Sequence, residues 1–150
     1  MIQKGAVKRG SYIPGQFLST IFVVPKASGG FRQVFNLKTL NKYIVTTHFK
    51  MESIQHAKNL AQKQDFMITI DLKDAYFLIP IHMRDRKFLR FEWDGELLEF
   101  QVMPFGLTTA PRVFTKVMKP IVSHLRQMGM RVVIYLDDLI LFTESEDECL

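Results

Sequence analysis

Two short apolar segments that carry aspartates limit the possible folds of this chain more than any other feature. The segment Val132–Phe142 is apolar apart from Asp137 and Asp138 in its middle, and the largely apolar segment Phe66–Ile70 is followed by Asp71. Burying an unpaired carboxylate is costly, so such groups need a cation or a turn that faces solvent. A tight turn alone explains the aspartate pair, because aspartate is favoured in turns. A turn does not explain why a second apolar segment also ends in an aspartate. Carboxylates on neighbouring strands repel unless a divalent cation lies between them.

Turn signals and apolar periodicity predict an α+β order of elements. The predicted elements are a hairpin (18–25 and 31–37) turning at 28–30, a helix (51–62), a strand (66–72), a short helical turn (73–79), a hairpin (88–93 and 97–102) turning at Asp94-Gly95, a helix from Thr108 or Thr109 to Gly129 with a kink at Pro120, and a hairpin (132–136 and 139–142) joined through Asp137-Asp138. One face of the first helix is predicted to carry Met51, Ile54, Lys58 and Ala61. Helices mixed with antiparallel strands indicate an α+β domain and not a doubly wound sheet.

The charge of the chain is distributed unevenly. The 150 residues carry a formal net charge of +5, but residues 1–64 contribute +9 and residues 65–150 contribute −4. Glu52 is the single acidic residue of the first segment. A basic front half suits a polyanionic partner and an acidic back half could hold cations, while the alternative is that surface lysines simply keep the domain soluble.

Several function classes fit the sequence poorly. The single cysteine, Cys149, allows no disulfide within the chain, which favours a reducing, intracellular setting. The first fifteen residues contain no apolar leader, and Val132–Phe142 is too short to span a bilayer, so no membrane partner is expected. The four histidines lack metal-ligand spacing, which argues against zinc.

Four motifs resemble those of reverse transcriptases and follow one another in the order of that family. They are Val23-Val24-Pro25-Lys26 to Phe31-Arg32-Gln33-Val34 with Leu40-Asn41-Lys42 after it, Asp71-Leu72-Lys73-Asp74-Ala75-Tyr76, Met103-Pro104-Phe105-Gly106-Leu107 followed by Ala110-Pro111, and Tyr135-Leu136-Asp137-Asp138. The similarity runs from about residue 18 to residue 141. It implies an α+β fold made of a fingers hairpin (about 15–62) and a partial polymerase palm (about 63–150), an antiparallel sheet with helices on one face. No thumb is expected within these residues.

The resemblance also implies a metal centre. Asp71 and Asp137 match the two principal metal ligands of the family, and Asp138 matches the second aspartate of the turn. These catalytic aspartates would hold two Mg²⁺ ions, or Mn²⁺, for the transfer of a nucleotide to a primer 3′-hydroxyl.

A second set of residues is implied to bind the incoming nucleotide. This set comprises Lys26, Arg32, Asp74, Ala75, Tyr76, Phe105 and Gly106. Lys26 and Arg32 would grip the triphosphate, backbone amides at Asp74 and Ala75 would meet it, and the ring of Tyr76 would exclude a 2′-hydroxyl. The plainer alternatives are a charged hairpin for the two basic residues, a helix-start acid for Asp74, and a core aromatic for Tyr76.

Two departures from the retroviral pattern leave the metal ligands intact. Phe105 stands where retroviral enzymes carry glutamine, so a polar contact to the nucleotide is lost, and Asn36 stands where they carry aspartate. Phe-Gly at this point is typical of many retrotransposon enzymes. The runs 87–93 and 113–116 look most like the DIRS-like retrotransposons, which encode a tyrosine recombinase.

The function implied is therefore that of an RNA-directed DNA polymerase domain. Its partners would be an RNA or DNA template with primer, deoxynucleoside triphosphates, and the thumb and ribonuclease H segments of a longer polyprotein from which this chain is a fragment. One alternative is a non-catalytic nucleic-acid-binding remnant of a retroelement. Another is an unrelated two-metal phosphotransferase or nuclease, in which Tyr76 and Phe105 have no role.

Overall fold

The computed structural model describes residues 1–27 and 29–146, which form two compact units. Unit 1 comprises Met1–Thr47 and Tyr76–Ala110, and unit 2 comprises His48–Ala75 and the residues from Pro111 onwards. The elements are β1 (Val7–Arg9), β2 (Leu18–Pro25), β3 (Phe31–Asn36), α1 (Lys38–Asn41), α2 (Ile54–Leu60), β4 (Phe66–Asp71), β5 (Arg90–Trp93), β6 (Glu96–Phe100), α3 (Ala110–Gln127), β7 (Arg131–Tyr135) and β8 (Asp138–Thr143), with short 3₁₀ turns at Ala75–Leu78 and Arg86–Phe88. This mixture of helices and largely antiparallel strands confirms the predicted α+β class.

Unit 1 is built on a five-stranded sheet in the order β1-β6-β5-β2-β3. The two predicted hairpins, β2–β3 and β5–β6, are both present, and the second turns at Asp94-Gly95, where φ is 51° and 73°. Asparagine, aspartate and glycine tolerate these left-handed angles, which is why this pair predicts a tight hairpin. The hairpins join through a parallel pairing of Leu18 with Arg90, which no local sequence signal indicated.

The core of unit 1 contains three phenylalanine rings from different strands. Phe35 packs against Phe91 and Phe100 with ring centroids 5.1 Å and 4.6 Å apart, in edge-to-face geometry. Close to this core, the buried guanidinium of Arg90 pairs with Glu99 and donates to the Ser11 carbonyl at 2.9 Å. A buried charge is tolerated only when it is paired in this way, so the network fastens the N-terminal segment to the sheet.

Unit 2 is built on a three-stranded antiparallel sheet in the order β4-β8-β7. Side chains two residues apart on a strand share a face, so the face that carries Asp71 and Asp138 also carries Val133, Ile140 and Phe142. Helix α2 covers part of this face, because Ala57 and Leu60 pack with Val133, Ile140 and Phe142.

Helix α2 is shorter than predicted and buries a different face. It occupies Ile54–Leu60 instead of 51–62, and it begins after Ser53, whose N–H donates to His56 Nδ1 at 3.1 Å. Ile54 is 68% exposed, whereas Ala57 is 5% exposed and faces the sheet. The buried side is therefore not the face that carries Ile54, since only the partner sheet decides which side of so short a helix is buried.

Side chains cover the free edge of β7. The N–H of Ile134 donates to Glu52 Oε2 at 3.0 Å, and Arg126 donates to Glu52 Oε1 at 2.6 Å and to the Val132 carbonyl at 2.7 Å. An unpaired strand edge invites pairing with other chains, so this covering protects the sheet. The other edge strand, β4, exposes large apolar side chains, with Met67 66% exposed and Ile70 43% exposed.

The end of the sheet opposite the aspartates is held by an ion pair. Arg131 donates to both carboxylate oxygens of Asp65, at 2.6 Å and 2.7 Å, and the Gln62 N–H donates to the same carboxylate at 2.6 Å. The hydrogen bond from Arg131, followed by that from the Gln62 amide, lowers the pKa of Asp65 below its ordinary value. Since Asp65 precedes β4 and Arg131 begins β7, the pair bridges the two edge strands across β8.

The long helix α3 agrees with its sequence signals. Its buried residues Ala110, Phe114, Met118 and Val122 recur every four positions, which is the period of one helix face. Pro120 lies inside the helix on its exposed side. At its end, Gly129 has φ +87°, and the N–H of Met130 donates to the Leu125 carbonyl at 3.1 Å, so glycine ends the helix as predicted.

Two elements were absent from the predicted order, β1 and α1. Both have only three or four residues, and β1 exists because Val7 pairs with Phe100 from the middle of the chain. Within the described residues, no helix has the length and apolar character needed to cross a bilayer.

Candidate catalytic and nucleotide-binding sites

The turn between β7 and β8 is formed by Leu136 and Asp137. Tyr135 and Asp138 pair with each other on either side of it, so Asp138 is the first residue of β8. The sequence had predicted Asp138 to be part of the turn, and that prediction was wrong. Leu136 has φ +56°. A positive φ at the first central residue of a two-residue hairpin turn favours glycine, and a leucine there stores about 1–2 kcal/mol of strain.

Asp71 lies directly opposite Asp138 in the pairing of β4 with β8. Directly opposed residues in an antiparallel pair point to the same face, with Cβ atoms about 4.5–5.5 Å apart. Asp137 is held beside them, because the N–H of Leu72 donates to the Asp137 carbonyl at 2.9 Å. The structure therefore brings all three predicted catalytic aspartates to one end of the unit 2 sheet.

The donor set at this end suits a cation bound through two carboxylates. In the described part of the chain, no hydrogen bond or ion pair neutralises the side chains of Asp71, Asp137 and Asp138. Mg²⁺ is usually bound by one or two carboxylates together with phosphate oxygens of a substrate, and Asp71 opposite Asp138 fits that pattern. Among residues 1–27 and 29–146, no group of three His, Cys, Asp or Glu side chains is arranged to hold a metal. A three-ligand set that includes Asp137 stays a prediction.

A cavity of about 420 Å³ borders Asp138 on the same face. It lies between α2 and the β7–β8 hairpin, and Ile54, Tyr135, Asp138 and Ile140 contribute to its lining. Its lining is mostly apolar, and Asp138, which is itself exposed, contributes a carboxylate to it.

Asp74 and Ala75 form a strained turn that follows β4. Asp74 has φ +57°, an angle that aspartate adopts more readily than most residues. The N–H of Ala75 donates to the Leu72 carbonyl at 3.2 Å. A triphosphate bound at the Ala75 amide, as the resemblance implies, would have to replace that hydrogen bond.

In unit 1, the rings of Tyr76 and Phe105 are in contact. Their centroids lie 5.0 Å apart, and Phe77 approaches the same Phe105 ring at 5.7 Å. Tyr76 is buried, at 7% exposed, whereas Phe105 is 43% exposed. Two of the predicted nucleotide-binding residues are thus brought together from positions 29 residues apart in the sequence.

Gly106 follows Phe105 in the sequence and has an unusual backbone conformation. Its φ is +91°, which L-residues with side chains rarely adopt, and a Cβ there would lie 3.6 Å from the Phe35 carbonyl oxygen. The side chain of Asn41 bonds this glycine, since its Nδ2 donates to the Gly106 carbonyl at 2.9 Å. Sequence reasoning had named Asn41 only as part of a family pattern, and no local signal links residues 65 positions apart.

Lys26 and Arg32 lie at the turn end of the β2–β3 hairpin. Arg32 pairs with Val24, and Lys26 follows β2, with its N–H donating to the Gly30 carbonyl at 3.0 Å. Both side chains are exposed. The hairpin therefore presents two cations to solvent at one end, and their predicted contact with a triphosphate stays a prediction.

The chain is similar to transposon polyproteins. It is 32% identical to the Transposon Tf2-3 polyprotein of Schizosaccharomyces pombe and 30% identical to the Tf2-7 polyprotein, in both cases over 128 residues. These matches cover 85% of this chain but only 10% of each polyprotein. The chain thus spans about a tenth of the length of these relatives.

Solved structures share its fold. A foamy viral protease-reverse transcriptase in complex with double-stranded DNA aligns with a TM-score of 0.82 and 22% identity, covering 99% of this chain and 30% of that one. The same type of protein in complex with an RNA/DNA hybrid aligns with a TM-score of 0.79 and 23% identity, covering 98% of this chain and 19% of that one.

The family itself is shown by a match to most of the sequence. The family model described as reverse transcriptase (RNA-dependent DNA polymerase) matches residues 24–150, which include all four motifs except the first residue of the fingers motif. The chain belongs to the reverse transcriptase (RNA-dependent DNA polymerase) family.

Proposed function

We propose that this chain is the nucleotidyl-transfer part of an RNA-directed DNA polymerase encoded by a retrotransposon. The observation that carries the proposal is the pairing of Asp71 with Asp138, with Asp137 in the adjoining turn. Mg²⁺ bound by these carboxylates, as two ions or with Mn²⁺ in its place, would lower the pKa of the primer 3′-hydroxyl and neutralise charge on the transferred phosphate. Rigid strands hold these aspartates in fixed positions, so the aspartates can orient the reacting groups.

Most of the proposed nucleotide-binding residues lie in unit 1. Lys26 and Arg32 bind the triphosphate electrostatically, and Arg32 adds the planar geometry suited to phosphate oxygens. The ring of Tyr76, supported by Phe105, excludes a 2′-hydroxyl and so selects deoxynucleotides. These roles are supported by the exposure of the two cations and by the contact of the two rings.

The proposal extends to partners and context. A template with primer is the proposed partner, supported by the basic front half of the chain and by the nucleic acids named in the related structures. Fingers at about 15–62 and a palm at about 63–150 are the proposed division, and the relatives' greater length supports further segments, such as a thumb and ribonuclease H, in a longer intracellular polyprotein. We also propose membership of the DIRS-like group, from the runs 87–93 and 113–116.

Primer extension on an RNA template with Mg²⁺ and deoxynucleotides tests the activity. The wild-type chain should extend the primer, and Asp137→Asn should reduce the rate by about 100-fold or more, as expected when charge stabilisation at a reacting phosphate is lost. Asp94→Asn removes an aspartate from the exposed β5–β6 turn and serves as the matched control, with wild-type activity. Equal signal from wild type and Asp137→Asn, including no signal from either, contradicts the catalytic proposal.

A second candidate function, nucleic-acid binding without catalysis, is favoured by the charge of +9 on residues 1–64. It predicts that the chain binds a template–primer duplex with an affinity that falls steeply with salt, even when no primer is extended. Binding measured by fluorescence anisotropy at several salt concentrations decides this point. An affinity independent of salt would contradict both candidates.

A further inference from the structure

The side chain of Asn41 forms two hydrogen bonds with one distant loop of unit 1. Its Nδ2 donates to the Gly106 carbonyl at 2.9 Å, and its Oδ1 accepts from the Thr108 N–H at 2.9 Å. Asn41 is the last residue of α1, and the two contacts lie 65 and 67 positions further along the chain. A single planar amide thus holds the backbone on both sides of Leu107.

The loop held by Asn41 carries one of the rings of the nucleotide-binding site. Phe105 directly precedes the bonded Gly106, and its ring lies 5.0 Å from that of Tyr76. Phe105 is 43% exposed, and its ring contacts those of Tyr76 and Phe77. Asn41 bonds the peptide groups on both sides of Leu107, so it holds the backbone that begins one residue after Phe105 and from which this ring projects.

The chemistry of the contact is specific to an amide. Asparagine and glutamine present a donor and an acceptor on one planar amide group, and asparagine has the shorter reach. Aspartate keeps the acceptor for the Thr108 N–H but turns a negative oxygen towards the Gly106 carbonyl, which is also an acceptor. Leucine matches the shape and removes both bonds. Each lost hydrogen bond weakens the hold on the loop, and a backbone group left without a partner adds to the loss.

We propose that Asn41 is a positioning residue that sets the sugar selectivity of the nucleotide site through Phe105 and Tyr76. This inference rests on the proposed polymerase function. The Tyr76 ring discriminates against a 2′-hydroxyl only while it cannot tilt away. Phe105 packs against this ring and belongs to the loop that Asn41 holds. When Asn41 releases the loop, the two rings separate and ribonucleotides enter, while the aspartates of unit 2 keep their arrangement.

Kinetics with both kinds of nucleotide test the proposal. In primer extension, Asn41→Asp and Asn41→Leu should lower the ratio of kcat/KM for deoxynucleotides to that for ribonucleotides by about 5-fold to 100-fold, the effect of one or two lost hydrogen bonds. KM for deoxynucleotides should rise while kcat stays within about 2-fold of wild type, because uniform binding and not the chemical step is affected. Asn59→Ala removes an exposed asparagine amide that accepts a hydrogen bond from Gln55 on α2 and should leave the ratio unchanged.

A merely structural role would give a different pattern. Loss of folded protein lowers activity with both nucleotides equally, so the ratio would not move. Hydrogen exchange at the Thr108 N–H reports the contact itself, and exchange should be faster in Asn41→Leu than in wild type. Faster exchange at Thr108 together with an unchanged selectivity ratio would overturn the proposal.

Failure of the polymerase function is distinguished by equilibrium binding. If wild type extends no primer, the proposed function fails, and the selectivity is then read from the affinities of fluorescent deoxy- and ribonucleoside triphosphates. Preference for the deoxynucleotide in wild type, reduced in Asn41→Leu, upholds the role of Asn41. Equal preference in both proteins, or no binding by wild type, overturns it.

Discussion

Asp71 and Asp138 face each other as directly paired residues of neighbouring antiparallel strands, although 66 residues separate them in the sequence. Two like charges in this position destabilise a sheet. They are kept at the end of β4 and the start of β8, where apolar residues would have given a more stable pair. Retaining an unfavourable pair on rigid strands is typical of a site whose charges serve chemistry and not stability.

Removing one of these charges should stabilise the metal-free protein. Asp71→Asn relieves the repulsion with Asp138, which is worth about 0.2–1 kcal/mol, so Tm in EDTA should rise slightly. Millimolar Mg²⁺ should raise Tm of wild type more than that of Asp71→Asn, because a ligand stabilises the fold that binds it. Thermal unfolding followed by circular dichroism measures both effects, with Asp94→Asn as a control that responds to Mg²⁺ like wild type. An equal response of all three proteins to Mg²⁺ would contradict the metal assignment.

Loss of the Tyr76 ring should open the nucleotide site to ribonucleotides. Tyr76→Ala should reduce discrimination against them by about tenfold or more, since excluding a single hydroxyl depends on a filled space. Tyr76→Phe keeps the ring and should keep the selectivity. The measurement is primer extension with one nucleotide of either kind. Unchanged discrimination in Tyr76→Ala would show that this aromatic is only a core residue.

The ion pair of Asp65 with Arg131 should make stability depend on pH in the acid range. The pKa of Asp65 is lowered in the folded protein, so the pair stabilises the fold at pH values above the ordinary pKa of 3.8. That contribution is lost as the pH falls from there through the lowered pKa. Urea unfolding at pH 7 should show Asp65→Asn to be less stable than wild type, and the difference should shrink below pH 4 as the wild-type carboxylate is protonated. A difference that stays constant down to pH 2 would contradict this account.

Glu52 should be more important for stability than its place in a loop suggests. Glu52→Ala leaves the Ile134 N–H without its acceptor and removes the ion pair with Arg126, which should lower the free energy of unfolding by about 1–3 kcal/mol. Glu96→Ala breaks the more exposed pair with Arg9 and should cost less, because solvent screens an exposed ion pair. Urea unfolding of both variants tests the comparison. Equal losses would show that the edge of β7 does not need its covering.

Local signals in the sequence were sufficient for features that depend on neighbouring residues. Asp94-Gly95 indicated its hairpin because both residues tolerate left-handed φ, and Gly129 indicated the end of α3 for the same reason. The aspartates at the ends of two apolar strands indicated a common charged centre, and the structure pairs Asp71 with Asp138. The α+β class followed from the order of these elements.

Only the tertiary structure decided the features that depend on contacts between distant residues. The sequence determined that α2 exists, but the β-sheet decided that Ala57 and not Ile54 is buried, because a short helix has no strong face of its own. Asp138 pairs with both Tyr135 and Asp71, so the hairpin turn consists of Leu136 and Asp137 and not of Asp137 and Asp138 as predicted. This turn places a positive φ on a leucine, which no sequence rule favours. The amide of Asn41 gained its two partners from a loop 65 residues away. The sequence determined which side chains could perform the chemistry, and long-range packing decided which of them meet, since strand register and side-chain hydrogen bonds between distant segments leave no local signal.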